Sequence, residues 1–228
     1  SEAPIPLAQV IDGIPQATAR FSLSKLRLCL RKDYEVACNW KVYIDNYLEG
    51  YHIPIVHQAL YKEIEYSEYR VQTARYYSSQ HAPLRKRSDT PGSERPYAGT
   101  SDDAEALYFW VFPNWMLNVY PDNLQSNVVI PLAVDRTLVV FEWFMLTDGA
   151  MVKQTLDEGV ASDPDAAREA IRKGIEFGDL VQKEDMEICE AVQKGLGSRS
   201  YDRGRFCVKR ENGVHHFQSL VHEFLRDL

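Results

Sequence analysis

Between residues 105 and 147 the chain is cut into apolar and aromatic runs at hairpin spacing. Ala106-Leu107-Tyr108-Phe109-Trp110-Val111-Phe112 stops at Pro113-Asn114, and Met116-Leu117-Asn118-Val119-Tyr120 stops at Pro121-Asp122-Asn123. Asn127-Val128-Val129-Ile130-Pro131-Leu132 and Thr137-Leu138-Val139-Val140-Phe141-Glu142-Trp143-Phe144 follow. Short runs of this composition, joined by tight turns, predict consecutive antiparallel strands. Behind them, Ser162-Asp163-Pro164-Asp165 carries the acids and early proline of a helix start. Ile171, Ile175, Leu180, Ile188 and Val192 continue a helical pattern to about Leu196, where Gly197 is a natural stop. The predicted class is α+β, with helices packed on a curved antiparallel sheet.

The remaining segments read less sharply. Phe21, Leu23 and Leu26, then Leu28 and Leu30, then Tyr34 to Cys38 suggest strands over 21–38. After Asn39, a fitting helix cap, Trp40, Tyr43, Ile44, Tyr47, Leu48 and Tyr51 fall at helical spacing, and Pro54 should end or kink this helix near His52. Residues 60–82, rich in Tyr, Val, Ile and Thr, predict strands, and 83–104 a functional or mobile loop. The end, 198–228, predicts a turn at Asp202-Arg203-Gly204, a short strand and a terminal helix. Residues 1–20, with Pro4, Pro6, Gly13 and Pro15, read as a linker or arm, leaving 21–228 as one domain.

A formal net charge of −7 argues against nucleic-acid binding, which needs a clustered basic surface. The one dense basic run, Arg85-Lys86-Arg87, sits among loop residues and reads as solvated. No stretch approaches the ~20 apolar residues that span a bilayer, so no membrane partner is expected. Ser1-Glu2-Ala3-Pro4 lacks the basic and apolar regions of a secretory signal. Cys29, Cys38, Cys189 and Cys207 form no C-x-x-C pair and read as reduced thiols in a cytoplasmic protein.

The sharpest chemical feature is Asp45-Asn46-Tyr47-Leu48-Glu49-Gly50-Tyr51-His52-Ile53-Pro54-Ile55-Val56-His57. On an unbroken helix five residues turn roughly 500°, which would aim the two imidazoles about 140° apart. Pro54 breaks that geometry and lets His57 swing back toward His52. Two neutral imidazoles suit iron, zinc, copper or nickel, and two histidines with one carboxylate and open positions suit iron(II) oxygen chemistry. Two histidines this close are also met with no metal, and Tyr47, Leu48 and Tyr51 fit plain helix core. From the residues alone, Asp185 reads as a solvated helix charge, like Glu184 and Glu187.

Asn39-Trp40-Lys41, the run from Asp45 to His52, Pro54 and His57 together resemble the iron-binding segment of Rieske-type oxygenase α subunits. They are most similar to the branch holding choline, glycine-betaine and carnitine monooxygenases. The likeness continues in Phe112-Pro113-Asn114, in Asn118 to Pro121, in Glu184-Asp185, in Cys189 to Leu196, and in Ser200-Tyr201 with Gly204-Arg205-Phe206. It implies a helix-grip fold (START/Bet v 1-like) and a mononuclear Fe(II) held by His52, His57 and Asp185. It implies that Glu49 bridges His52 to the Rieske [2Fe–2S] cluster of a neighbouring subunit in a homotrimer, with Asp45 one turn earlier along the same path. NAD(P)H would supply electrons through a separate reductase, and O₂ and a small substrate would meet at the iron. No cysteine is followed by histidine as C-x-H or C-x-x-H, so the cluster's own domain is expected outside this sequence. The expected substrate is a quaternary ammonium or betaine, hydroxylated or N-demethylated, with Trp110, Trp115 and Trp143 as candidate cage residues. The other readings are an aromatic substrate, a non-catalytic helix-grip carrier, and a zinc site.

Overall fold

The computed structural model of the chain describes residues 4–85, 104–146 and 164–226. Its frame is a seven-stranded sheet in the order β1-β7-β6-β5-β4-β3-β2, with each neighbouring pair antiparallel. The strands are β1 Leu26–Val36, β2 Arg70–Thr73, β3 Tyr77–Pro83, β4 Glu105–Val111, β5 Trp115–Val119, β6 Asn123–Ala133 and β7 Arg136–Leu146. The helices are α1 Leu7–Val10, α2 Ile14–Thr18, α3 Trp40–Leu48, α4 Ile53–Val56, α5 Gln58–Glu63, α6 Pro164–Leu196 and α7 Asn212–Arg226. The α+β class, the β4–β7 meander and the long helix follow the sequence expectation. Most of the 83–104 loop, and the helix-start residues Ser162 and Asp163, lie outside the described residues.

Three local expectations change. Of residues 21–38, Leu26–Val36 make one strand, paired with β7 from Leu26↔Leu146 to Val36↔Thr137, because β7 is long enough to hold all of it, and Leu23–Lys25 form a single 3-10 turn before it. Residues 58–63 form a helix before the β2–β3 hairpin: Leu60 and Ile64, four apart, enter one buried cluster with Ile53, Leu84 and Tyr108. The stretch 201–207 has no strand, its residues are exposed, and the edge strand β1 has no partner there.

The arm over 1–20 also has structure. β4 is buried on both faces, which its unbroken apolar run already suggests. One face, Leu107, Phe109 and Val111, joins Leu117 and Val119 of β5 under Ile14, Ile11 and Val10. The opposite face carries Trp110 and Met116 into the main core with Ile44 and Leu48 of α3 and Val214, Phe217 and Leu220 of α7. The short N-terminal helices therefore cover the outer side of the sheet that α3, α6 and α7 cover within.

The α3–α7 crossing is fixed by a glycine. A Cβ at Gly213 would stand 2.6 Å from the Leu48 carbonyl oxygen, a backbone atom that moves only with the end of α3. Gly213→Ala is expected to destabilise the chain by about 1–3 kcal/mol, as overpacking does. Thermal unfolding checks this; an unchanged midpoint would mean that the crossing does not need the glycine.

Candidate metal centre

The Asn39 side chain accepts a hydrogen bond from Lys41 N at 3.1 Å and starts α3, which buries Val42, Tyr43, Ile44 and Leu48. The helix stops at Leu48, a turn before Pro54 could act, because Glu49 turns to extended backbone (φ −122°, ψ 158°). Gly50 follows where a Cβ would meet the Tyr69 ring at 2.6 Å. Pro54 instead sits in the first turn of α4, where its missing N–H costs nothing. His52 precedes that single turn and His57 leaves it at φ −101°, ψ 67°. The two rings thus lie 4.9 Å apart between centroids, crossed at 78°. Their convergence comes from a short second helix, not from a kink in the first.

α6 brings the acids. Asp185 Oδ1 lies 3.0 Å from His57 Nε2 and 3.7 Å from His52 Nε2, and accepts a hydrogen bond from Asn46 Nδ2 at 2.6 Å. Behind the rings, Glu49 Oε1 lies 2.5 Å from His52 Nδ1, and Glu184 Oε2 lies 2.7 Å from His57 Nδ1. A carboxylate only accepts, so each Nδ1 donates and each Nε2 is the atom turned toward Asp185. Glu49 Oε2 also accepts from the backbone N–H groups of Tyr51 and His52, at 2.6 and 3.2 Å. Burial alone would pull the His57 imidazole down, but the hydrogen bonds and charges of Asp185 and Glu184 outweigh it and hold it above its ordinary value.

Among the described residues, His52, His57 and Asp185 are the group that could hold a metal ion, one ligand atom from each lying within 4.8 Å of the others. Bonds of about 2.1 Å need ligand atoms roughly 3–4 Å apart, so small side-chain rotations close the site. Two imidazoles and one carboxylate, with the Nδ1 atoms already anchored, form a donor set that fits a divalent ion and leaves coordination positions open.

Not every expected residue joins the centre. Asp45 faces away: both its oxygens accept from Gln218 Nε2 of α7 at 2.9 Å. Trp110 and Trp143 are fully buried core, and Trp115 packs on the outer face. Glu184 and Asn46 had no role in the sequence reading. Glu184 directly precedes Asp185, and Asn46 lies six residues before His52, so proximity in sequence was the available signal.

Beside His52, His57 and Asp185 lies a cavity with about 80 Å³ available to the centres of water-sized molecules. Tyr43, Tyr47, Tyr69, Tyr108, Tyr120 and Phe141 form much of its wall. Burial pushes the hydroxyls of Tyr43, Tyr47, Tyr69 and Tyr108 well above their ordinary range, so these walls are neutral. Its charged lining is acidic, Glu49 and Asp185, and no Lys or Arg of the described residues lines it. A second, larger hollow of about 740 Å³ by the same measure is lined by Asp45, Tyr201, Phe206 and Gln218. Asn46, Glu49 and His52 line both spaces.

Burial raises the Asp45 carboxyl to about 7, against hydrogen bonding from Gln218 and the charge of Lys41 and with the charge of Glu211. In the unfolded chain it ionises near 3.8. Between those values the folded state holds the extra proton, so this group makes stability fall as pH rises from about 4 to 7 and adds no further slope above. Asp45→Asn is expected to remove that component and to stabilise the chain relative to wild type at pH 8 but not at pH 4. Thermal midpoints across this range decide it; parallel curves would refute the assignment.

The family described as ring hydroxylating alpha subunit (catalytic domain) matches residues 23–227. The chloroplastic choline monooxygenase of Arabidopsis thaliana is 34% identical over 204 residues, 89% of this chain and 43% of that protein. The carnitine monooxygenase oxygenase subunit of Escherichia coli (strain K12) is 27% identical over 232 residues, 96% of this chain and 54% of that protein. The chain thus spans about half the length of the curated relatives it matches. Among solved structures, the quaternary ammonium Rieske monooxygenase CntA has a TM-score of 0.75 at 24% identity, covering 98% of this chain and 58% of that one. Naphthalene 1,2-dioxygenase from Rhodococcus sp. has a TM-score of 0.64 at 13% identity, covering 97% and 62%. At these identities the structures speak for the fold alone. With the match running through α3, the sheet, α6 and α7, this chain belongs to the ring-hydroxylating α subunit family, as its catalytic domain.

Proposed function

We propose that the chain is the iron-bearing catalytic domain of a Rieske-type monooxygenase, residues 21–228, preceded by an arm over 1–20, that acts on a small quaternary ammonium or betaine. The observation that carries this is the pair of imidazoles whose Nε2 atoms face Asp185 while Glu49 and Glu184 hold their Nδ1 atoms. His52, His57 and Asp185 would hold the metal. Iron(II), when bound, supplies O₂ activation for hydroxylation or N-demethylation of the substrate. A small organic cation suits the cavity, with neutral aromatic walls and acidic groups at one end. The 34% identity to a choline monooxygenase supports the same substrate class. Tyr47 is held in the wall by its hydroxyl, which donates to Asn118 Oδ1 at 2.7 Å. The described fold suits the helix-grip arrangement, with α6 lying across the sheet.

Glu49 lies between the two hollows, so electrons would enter from its outer side. There a Rieske [2Fe–2S] domain of a neighbouring subunit, in a homotrimer, would dock near Tyr201 and Phe206, supplied by a reductase using NAD(P)H. The Glu49 Oε1 contact to His52 Nδ1 makes it the bridge in this reading. Asp45, on the outer hollow, is a positioning residue for that docking face through Gln218. No helix of the described residues is long and apolar enough to cross a membrane. Four free cysteines suit a reducing compartment such as the cytoplasm.

Anaerobically purified protein given iron(II) is expected to bind it stoichiometrically and to give an iron(II)–nitrosyl EPR signal. His52→Ala and Asp185→Ala should lose that signal. Protein that takes up zinc and refuses iron would overturn the proposal. Glu184→Gln should keep the fold and weaken iron binding about 10–100-fold, the usual cost of removing a ligand's supporting hydrogen bond. Iron titration checks it, and an unaltered affinity would remove Glu184 from the site.

A further inference from the structure

One stripe of α6 meets the chain around α3 at three heights. Asp185, Cys189 and Gln193 follow each other at intervals of four and so lie on one helix face. Asp185 Oδ1 accepts from Asn46 Nδ2 at 2.6 Å, within α3. Gln193 Oε1 accepts from Asn39 N at 2.8 Å, at the cap of α3. Glu190 Oε1 accepts from Ala37 N at 3.1 Å. Cys38 stands between these two anchored residues and is therefore held against the middle of the stripe, where Cys189 sits. The two thiols are hydrogen-bonded to each other. Both belong to one core cluster, at 0% and 1% exposure. The Cys38 carbonyl also accepts from Thr137 Oγ1 at 2.7 Å, so the backbone here is fixed from the sheet side as well.

Two thiols in contact would serve packing alone, but two further features set this pair apart. Their hydrogen bond lowers the Cys38 thiol from its ordinary value, while the same bond, with burial, raises that of Cys189. A sulfur leaning toward thiolate is the nucleophile of such a pair. Cys189 also lines the outer hollow, which gives a small uncharged oxidant a route to the sulfurs.

We propose that Cys38 and Cys189 are a modification site, a dithiol that a hydroperoxide converts to a disulfide tying the start of α3 to α6 one turn from Asp185. One sulfur attacks a peroxide oxygen as the O–O bond breaks, and its proton leaves with the other oxygen as water. The second sulfur then displaces the sulfenic oxygen, which leaves as water with the second thiol proton. The two sulfurs give up two electrons and the peroxide takes them. The tie joins residues far apart in sequence, so it restricts the unfolded chain strongly. It spans the two helices whose contact holds Asp185. None of this depends on which substrate the cavity takes.

The test uses the full chain carrying Cys29→Ser and Cys207→Ser, which removes the two exposed thiols and leaves the buried pair. Folded protein is treated with hydrogen peroxide, then denatured, alkylated, digested and read by mass spectrometry. A cross-linked peptide joining Cys38 to Cys189 is expected, with both thiols lost to alkylation together and both returned by dithiothreitol. The thermal midpoint of the oxidised chain should rise by about 5 °C or more and fall back on reduction. Cys189→Ala in the same background should leave Cys38 without a cross-link.

Two thiols that still alkylate after peroxide would overturn the proposal, and so would separate sulfinic acids with no cross-link. A disulfide that leaves the midpoint unchanged or lower would overturn the tie between the helices. Should the serine background fail to fold, peptide mapping of the unmodified chain decides by the same criteria, since it shows which cysteines are joined; links that involve only Cys29 or Cys207 would overturn it.

Discussion

One carboxylate oxygen ties the molecule together. Asp185 Oδ1 is within hydrogen-bond reach of Asn46 on α3 and of His57 after α4, and 3.7 Å from His52 before it. Two negative side chains, Glu49 and Glu184, press on the far sides of the same imidazoles. Burying this much like charge is costly unless positive charge offsets it. His57, held above its ordinary value, supplies part of that offset. A divalent cation would take over that offset, displacing the proton from His57 Nε2, and relieve the repulsion among the three acids.

The sheet's task is to hold α3 and α6 at the distance this contact needs. α3 packs on Trp110, Met116, Val129 and Val139, and α7 locks its end through Gly213. α6 lies against the sheet where Gly178 leaves room: a Cβ there would stand 2.8 Å from Trp143 Nε1. Close approach at Gly178 brings the helix face bearing Phe177, Val181, Gln182 and Asp185 down onto the cavity. Tyr34 and Lys32 of β1 grip the same helix through Asp179, which these partners hold at about 2 despite its burial. The position of the acid pair is therefore set from the β1–β7 edge of the sheet.

What the sequence made legible follows from how local each signal is. The β4–β7 meander could be read because each turn sits between its own strands, at Pro113-Asn114 and Pro121-Asp122. The paired histidines could be read for the same reason. The β1–β7 register, with partners as far apart as Leu26 and Leu146, leaves no local mark, and one strand was read as several. Leu60 and Ile64 carry a helical spacing too short to outweigh the β-rich residues around them. Pro54 was given the right neighbourhood and the wrong task, since a proline is compatible both with stopping one helix and with opening the next. Asp185 could be named only through family likeness: a helix rich in acids gives no local reason to choose it over Glu184, and the fold uses both.

The two hollows meet at a thin partition. Glu49, His52 and Asn46 each present atoms to both sides. Under the proposed function, electrons would arrive on one side of this division and substrate would lie on the other. Glu49 suits the partition because its two oxygens do different things. Oε1 faces the imidazole, while Oε2 is tied to two backbone N–H groups and cannot swing away. Gly50, next in the chain, has no room for a side chain, since a Cβ there would stand 2.6 Å from the Tyr69 ring. The turn before His52 is thus tightly packed, and it holds Glu49 where the two spaces meet.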